Sequence, residues 1–237
     1  MSTYVLVHGA WHGAWCWDKV APLIRSAGHT VYTPDLPGHG ESLASGPGIT
    51  AKDYADSLVN LICGLDQRVV LTGHSMSGMV ISRVAELIPE NLSTLVYLAG
   101  FLLVDGESIN DLQNRIQASK IAPNLILSKN KSLLSLPVHI IREGLYDDCN
   151  ETDYQYALAR LQAQPVQPFL SRLTVSEARF ATVPRVYIEC LQDQALPVAA
   201  QRLMYETTRC ARVYTLDSGH APFFSRYQEV ADILLEL

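Results

Sequence analysis

A serine hydroxyl becomes a useful nucleophile only when a base takes its proton and an acid orients that base. Ser75 stands in the run Gly73-His74-Ser75-Met76-Ser77-Gly78, after a short apolar stretch and before a helical pattern. A sharp strand-turn-helix elbow exposes such a serine at the C-terminal edge of a sheet. There the start of the helix stabilises developing negative charge. The turn needs small residues two before and two after the serine. Gly73 meets this need, whereas Ser77 stands where glycine is expected and Gly78 comes one later. Taken alone, the run describes a small-residue turn with Ser75 as a helix cap equally well.

The remaining chemistry lies in two later segments. Cys190-Leu191-Gln192-Asp193 follows a fifth apolar run, and Asp217-Ser218-Gly219-His220-Ala221-Pro222 follows a sixth. Ser75, Asp193 and His220 each sit just past a strand, and parallel strands bring the loops at their C-terminal ends to one edge of the sheet. Ser75 is read as nucleophile, His220 as base and Asp193 as the orienting acid. Asp217 and Asp105 are rival acids. Asp217 is expected to face away in its turn, and Asp105 follows the fourth strand.

Acyl transfer also needs two backbone N–H donors for an oxyanion. One is expected from Met76. The other is expected from Ala10, in the loop His8-Gly9-Ala10-Trp11-His12-Gly13 after the first strand. His8 and His12 flank a glycine turn and have no carboxylate or cysteine partner at ligand spacing, so they are read as loop-holding hydrogen bonders rather than metal ligands. His39, within Asp35-Leu36-Pro37-Gly38-His39-Gly40, is read as structural. No metal is expected.

These residues need a scaffold. Apolar runs predict strands at 4–7, 30–33, 68–71, 94–98, 185–190 and 212–216. Helical patterns fall at 15–27, 50–63, 76–87, 198–207 and 227–235, and Thr50 and Asp53 are spaced as a capping box. Such alternation gives an α/β fold, a six-stranded mostly parallel sheet with helices on both faces. Residues 104–182 break the rhythm and are too many for a loop. They are read as a cap, with a short strand at 138–141, inserted into a core of residues 1–103 and 183–237. Trp11, Met76, Phe101, Phe223 and Phe224 are placed to line an apolar pocket, whereas Trp15 and Trp17 are expected in the core.

Composition narrows the partners. The chain has 237 residues, 48% of them hydrophobic, and a net charge of −6 without basic blocks, which argues against a nucleic-acid role. Five scattered cysteines, no apparent leader and no membrane-length apolar run give the expectation of a cytoplasmic protein. No basic residue is placed to grip an acidic substrate, so a neutral small-molecule ester is the expected one.

Together these segments resemble the plant methylesterase and hydroxynitrile lyase family of α/β-hydrolases and its bacterial esterase relatives. The resemblance is strongest at 5–17, 69–78 and 185–197 and around His220. It implies the α/β-hydrolase fold, a cap over the site, no cofactor, the triad Ser75-Asp193-His220, oxyanion donors at Ala10 and Met76, and a possible homodimer. The lyases of this family carry a threonine in the first loop and a lysine after the histidine. Ala10 and Ala221 are read at those positions, which favours ester hydrolysis over lyase chemistry. Cofactor-free dioxygenase chemistry and a non-catalytic hydrophobic-ligand receptor stay open on this fold.

Overall fold

The computed structural model describes residues 1–42, 48–116 and 118–237. Six strands form one sheet: β1 (Thr3–Val7), β2 (Thr30–Tyr32), β3 (Val69–His74), β4 (Leu92–Leu98), β8 (Arg185–Cys190) and β9 (Arg212–Leu216). Their order is β2-β1-β3-β4-β8-β9, and every pairing is parallel. β1 and β3 are buried along their whole lengths, as strands covered on both faces must be.

Helix α1 (Val20–Ser26) packs against α10 (Tyr227–Leu235), and α2 (Ala51–Cys63) packs against α3 (Ser77–Leu87). The expected capping box forms at the start of α2. The Thr50 side chain accepts from the Asp53 N–H, and the Asp53 carboxylate accepts from the Thr50 N–H. The helix expected over 15–27 is in fact two pieces, a 3₁₀ turn at Ala14–Trp17 followed by α1. The 3₁₀ turn buries Cys16 and Trp17 and starts a new helix axis, which the apolar pattern does not reveal.

Between β4 and β8 the chain leaves the sheet. It forms α4 (Ile109–Gln113), a three-stranded antiparallel sheet of β5 (Ile126–Leu127), β6 (Leu133–Ser135) and β7 (Gln164–Pro165), and helices α5 (Val138–Leu145), α6 (Glu151–Leu158) and α7 (Gln167–Leu170). The strand expected at 138–141 is the first turn of α5. Pro137 caps that helix, and its buried residues Ile140, Gly144 and Leu145 recur at helical spacing. A four-residue window is too short to distinguish the two periods. Two helices complete the fold, α8 (Val198–Thr207) after β8 and the one-turn α9 (Pro222–Ser225) after β9. Among the described residues no helix is long and apolar enough to cross a membrane.

Candidate active site

Ser75 occupies the turn between β3 and α3 with φ of 51°, a conformation that non-glycine residues adopt at a steric cost. Backbone hydrogen bonds hold it there. Its N–H donates to Leu98 O at 3.1 Å, and its carbonyl accepts from Phe101 N at 2.9 Å. The small neighbours are needed. A Cβ on Gly73 would lie 2.6 Å from Ser77 O, and one on Gly78 would lie 2.6 Å from Phe101 N. Ser77 fits in place of the expected glycine because its side chain turns inward and its hydroxyl donates to the His8 carbonyl. The contact that admits no side chain falls one residue later, at Gly78.

His220 and Asp193 arrive on the loops after β9 and β8. His220 Nε2 lies 3.0 Å from Ser75 Oγ, and His220 Nδ1 lies 2.7 Å from Asp193 Oδ2. A carboxylate only accepts, so Nδ1–H is the donor to Asp193, and in the neutral ring Nε2 accepts the Ser75 hydroxyl. Asp193 is itself fixed: Oδ1 accepts from Ala195 N and Leu196 N at 2.8 Å each, and Oδ2 accepts from Gln201 Nε2 at 3.3 Å. All three side chains are buried, with relative exposures of 7%, 4% and 3% for Ser75, Asp193 and His220. The rival acids are elsewhere. Asp217 is exposed and accepts from Gln192, while Asp105 is exposed and accepts from Val175 N.

Three supports have no simple sequence signature. The His74 Nε2–H donates to the His220 carbonyl at 2.9 Å, and the two rings lie 4.7 Å apart. Asp148, in the segment between α5 and α6, accepts the Gly219 N–H at 2.8 Å, one residue before His220. Gln201 on α8 bonds Asp193 and also the backbone of Cys190 and Leu196. Its position eight residues past the acid, as a polar residue on an otherwise buried helix face, is the one trace that sequence reading offers.

Ala10 and Met76 are both buried, and among the described residues neither N–H donates to another group of the chain. Burial lowers the imidazoles beneath the loop. His12 is held down to about 3, first by loss of solvent and then by neighbouring rings, against the pull of the Ala10 carbonyl. His8 and His74 also lie well below the usual histidine range, again chiefly through burial. As neutral rings they brace the loop. His8 Nδ1–H donates to Gly9 O and Nε2 accepts from Leu36 N; His12 Nδ1–H donates to Ala10 O and Nε2 accepts from the Tyr146 hydroxyl. His39 donates from Nε2 to the buried Gln164. Gly9 is the loop position that abuts the serine: a Cβ there would lie 3.0 Å from Ser75 Cβ.

The cavity at Ser75 holds about 20 Å³ and is bounded by Ala10, Trp11, Phe101, Leu196, His220 and, from the inserted segment, Gln113, Ile121, Leu145 and Phe169. Trp11 and Phe101 therefore lie where the sequence placed them. Phe223 and Phe224 do not. Helix α9 turns Phe223 beneath the site, against His74 and Trp17, and packs Phe224 on Trp15, Tyr146 and Tyr156. The Met76 side chain, also expected in the lining, does not border this cavity.

Residues 4–233 match the model of the alpha/beta hydrolase family. The chain belongs to that family. It is 31% identical to methylesterase 7 of Arabidopsis thaliana over 99% of this chain and 95% of that one. It is 32% identical to the putative chloroplastic methylesterase 11 of the same plant over 99% of this chain, and spans 63% of that longer protein. The crystal structure of polyneuridine aldehyde esterase superposes with a TM-score of 0.89 at 26% identity, covering 100% of this chain and 98% of the other. The likeness to the methylesterases runs the length of the chain and marks it as a hydrolase of the carboxylesterase type.

Proposed function

We propose that Ser75, His220 and Asp193 hydrolyse a small neutral carboxylic ester through an acyl-enzyme. The observation that carries this reading is the unbroken chain of contacts from Ser75 Oγ to His220 Nε2 and from His220 Nδ1 to Asp193, beside a cavity whose lining holds no lysine or arginine. His220 takes the Ser75 proton as Oγ attacks the ester carbonyl. Asp193 keeps the ring in the tautomer that accepts at Nε2 and stabilises the imidazolium. The N–H groups of Ala10 and Met76 receive the oxyanion. His220 then protonates the leaving alcohol and activates water to release the acid.

The apolar lining from Trp11, Phe101, Leu145 and Phe169 supports an uncharged alkyl or aromatic substrate. The names of the relatives support a methyl ester. Residues 104–182 act as the cap of this site in our reading, because four of its lining residues come from them. Ala221, directly after His220, supplies no charge to hold a cyanide anion, which supports hydrolysis over lyase chemistry. A panel of p-nitrophenyl and methyl esters of varied acyl length tests the reading. Wild type turns over at least the shortest members, and Ser75→Ala loses activity by orders of magnitude. Near-wild-type turnover by Ser75→Ala would sink it.

A further inference from the structure

A second cavity lies beyond the one at Ser75. It holds about 170 Å³, against about 20 Å³ beside the serine. Its walls are mostly apolar, from Leu136, Ile141 and Leu161, with Gln162 among the polar ones. Two side chains, Trp11 and Leu145, border both cavities. The space next to the nucleophile is small, and these two side chains stand between it and the larger one.

Trp11 is fixed as a wall rather than hinged as a door. Its φ is 66°, unfavourable for a tryptophan, so surrounding contacts must hold it. They do so at three points. The indole Nε1–H donates to Leu134 O at 3.1 Å, the Trp11 carbonyl accepts from Gln162 N at 2.9 Å, and the ring packs on Phe169 with centroids 6.1 Å apart. All three partners belong to the inserted segment, so the loop that supplies Ala10 and the far chamber are tied through one side chain.

We propose that Trp11 is the specificity-determining residue for substrate size, closing off a ready-made chamber that accepts an unbranched apolar chain. The proposal rests on the ester reading for its assay but not for its binding test. With Trp11 in place, the group next to Ser75 is restricted to a short one. With the indole removed, the two spaces join and a medium-length alkyl chain threads past Leu145 towards Leu161.

The test compares p-nitrophenyl acetate and octanoate. Wild type favours acetate. Trp11→Ala raises the octanoate-to-acetate ratio of kcat/KM by about tenfold or more. Leu161→Trp placed in the Trp11→Ala background refills the chamber and takes that gain away. Trp11→Gly, at ease at positive φ, gives the same shift if alanine disturbs the loop. Independently of turnover, calorimetry reads the binding of uncharged 2-decanone to Ser75→Ala and to Ser75→Ala with Trp11→Ala. The double variant binds about tenfold more tightly. An unchanged ratio and an unchanged 2-decanone affinity on removal of Trp11, or a gain that Leu161→Trp leaves intact, overturns the proposal. If wild type hydrolyses neither ester while 2-decanone binding still rises, the ester reading falls and the partition stands.

Discussion

Acid should destabilise this protein well before its carboxylates titrate, because it buries neutral imidazoles. His8, His12 and His74 are 0%, 2% and 0% exposed, and each is held well below the ordinary histidine value of 6.5, His12 to about 3. In the unfolded chain each ring takes a proton as pH falls through about 6.5. In the folded chain it does not. The unfolded state then binds more protons, and stability falls as pH falls. Between pH 7.5 and 5.5 each ring contributes a loss of about 1.4 kcal/mol, so the three together remove about 4 kcal/mol. That is a large part of the roughly 5–15 kcal/mol that holds a typical domain. His39, also lowered by burial, acts in the same direction. Asp53, Asp111 and Glu189, whose values are lowered, add their own losses only below about pH 4.5, outside this window. Urea unfolding followed by tryptophan fluorescence measures the effect. At a slope of about 2–3 kcal/mol per molar, the midpoint at pH 5.5 lies about 1–2 M below that at pH 7.5. His12→Gln shrinks the difference by about one third. An equal or higher midpoint at pH 5.5 would refute the account of these rings as buried neutral braces.

Three substitutions test the site more locally. Asp193→Asn keeps the size of the acid but leaves an amide or a neutral oxygen against His220 Nδ1; kcat in an ester assay drops by about 10³–10⁴-fold while the fold survives, as circular dichroism will report. Ser77→Gly restores the glycine expected in the turn yet removes the hydrogen bond to the His8 carbonyl. The melting temperature falls by about 2–4 °C, for a cost of about 1 kcal/mol, and kcat stays within a few-fold. Gly78→Ala drives a Cβ against the Phe101 backbone and costs about 3 kcal/mol, a loss that Ser77→Gly does not share and that thermal melting resolves.

Much of this was legible in the sequence because it is encoded locally. The strands at Val69–His74 and Arg185–Cys190 carry the apolar runs Val69-Val70-Leu71 and Val186-Tyr187-Ile188, and a residue just past such a strand in a parallel sheet has little choice of edge. Ser75, Asp193 and His220 could thus be placed together from three short windows. The elbow departs from the expected pattern at Ser77, whose hydroxyl donates to the His8 carbonyl, while the position that admits no side chain falls at Gly78. What escaped depends on contacts between distant parts of the chain. Asp148 meets Gly219 across 71 positions, and Trp11 meets Leu134 across 123. Phe223 and Phe224 follow His220 closely, so proximity in sequence suggested proximity to substrate. One turn of helix sends both rings instead into an aromatic cluster with Trp15, Trp17 and Tyr146. The inserted segment was the least legible part, since its strands are only two or three residues long and carry no period of their own.

The claim at the centre of the account is that Ser75 is an activated nucleophile, made so by His220. A fluorophosphonate probe reads this directly, because it forms a stable adduct only with a serine whose proton is being withdrawn. Tryptic mass spectrometry of the labelled protein will find the adduct on the peptide that carries Ser75, and His220→Ala will lose it while remaining folded. An unlabelled Ser75 in the folded wild-type protein, or labelling that persists undiminished without His220, would contradict the account.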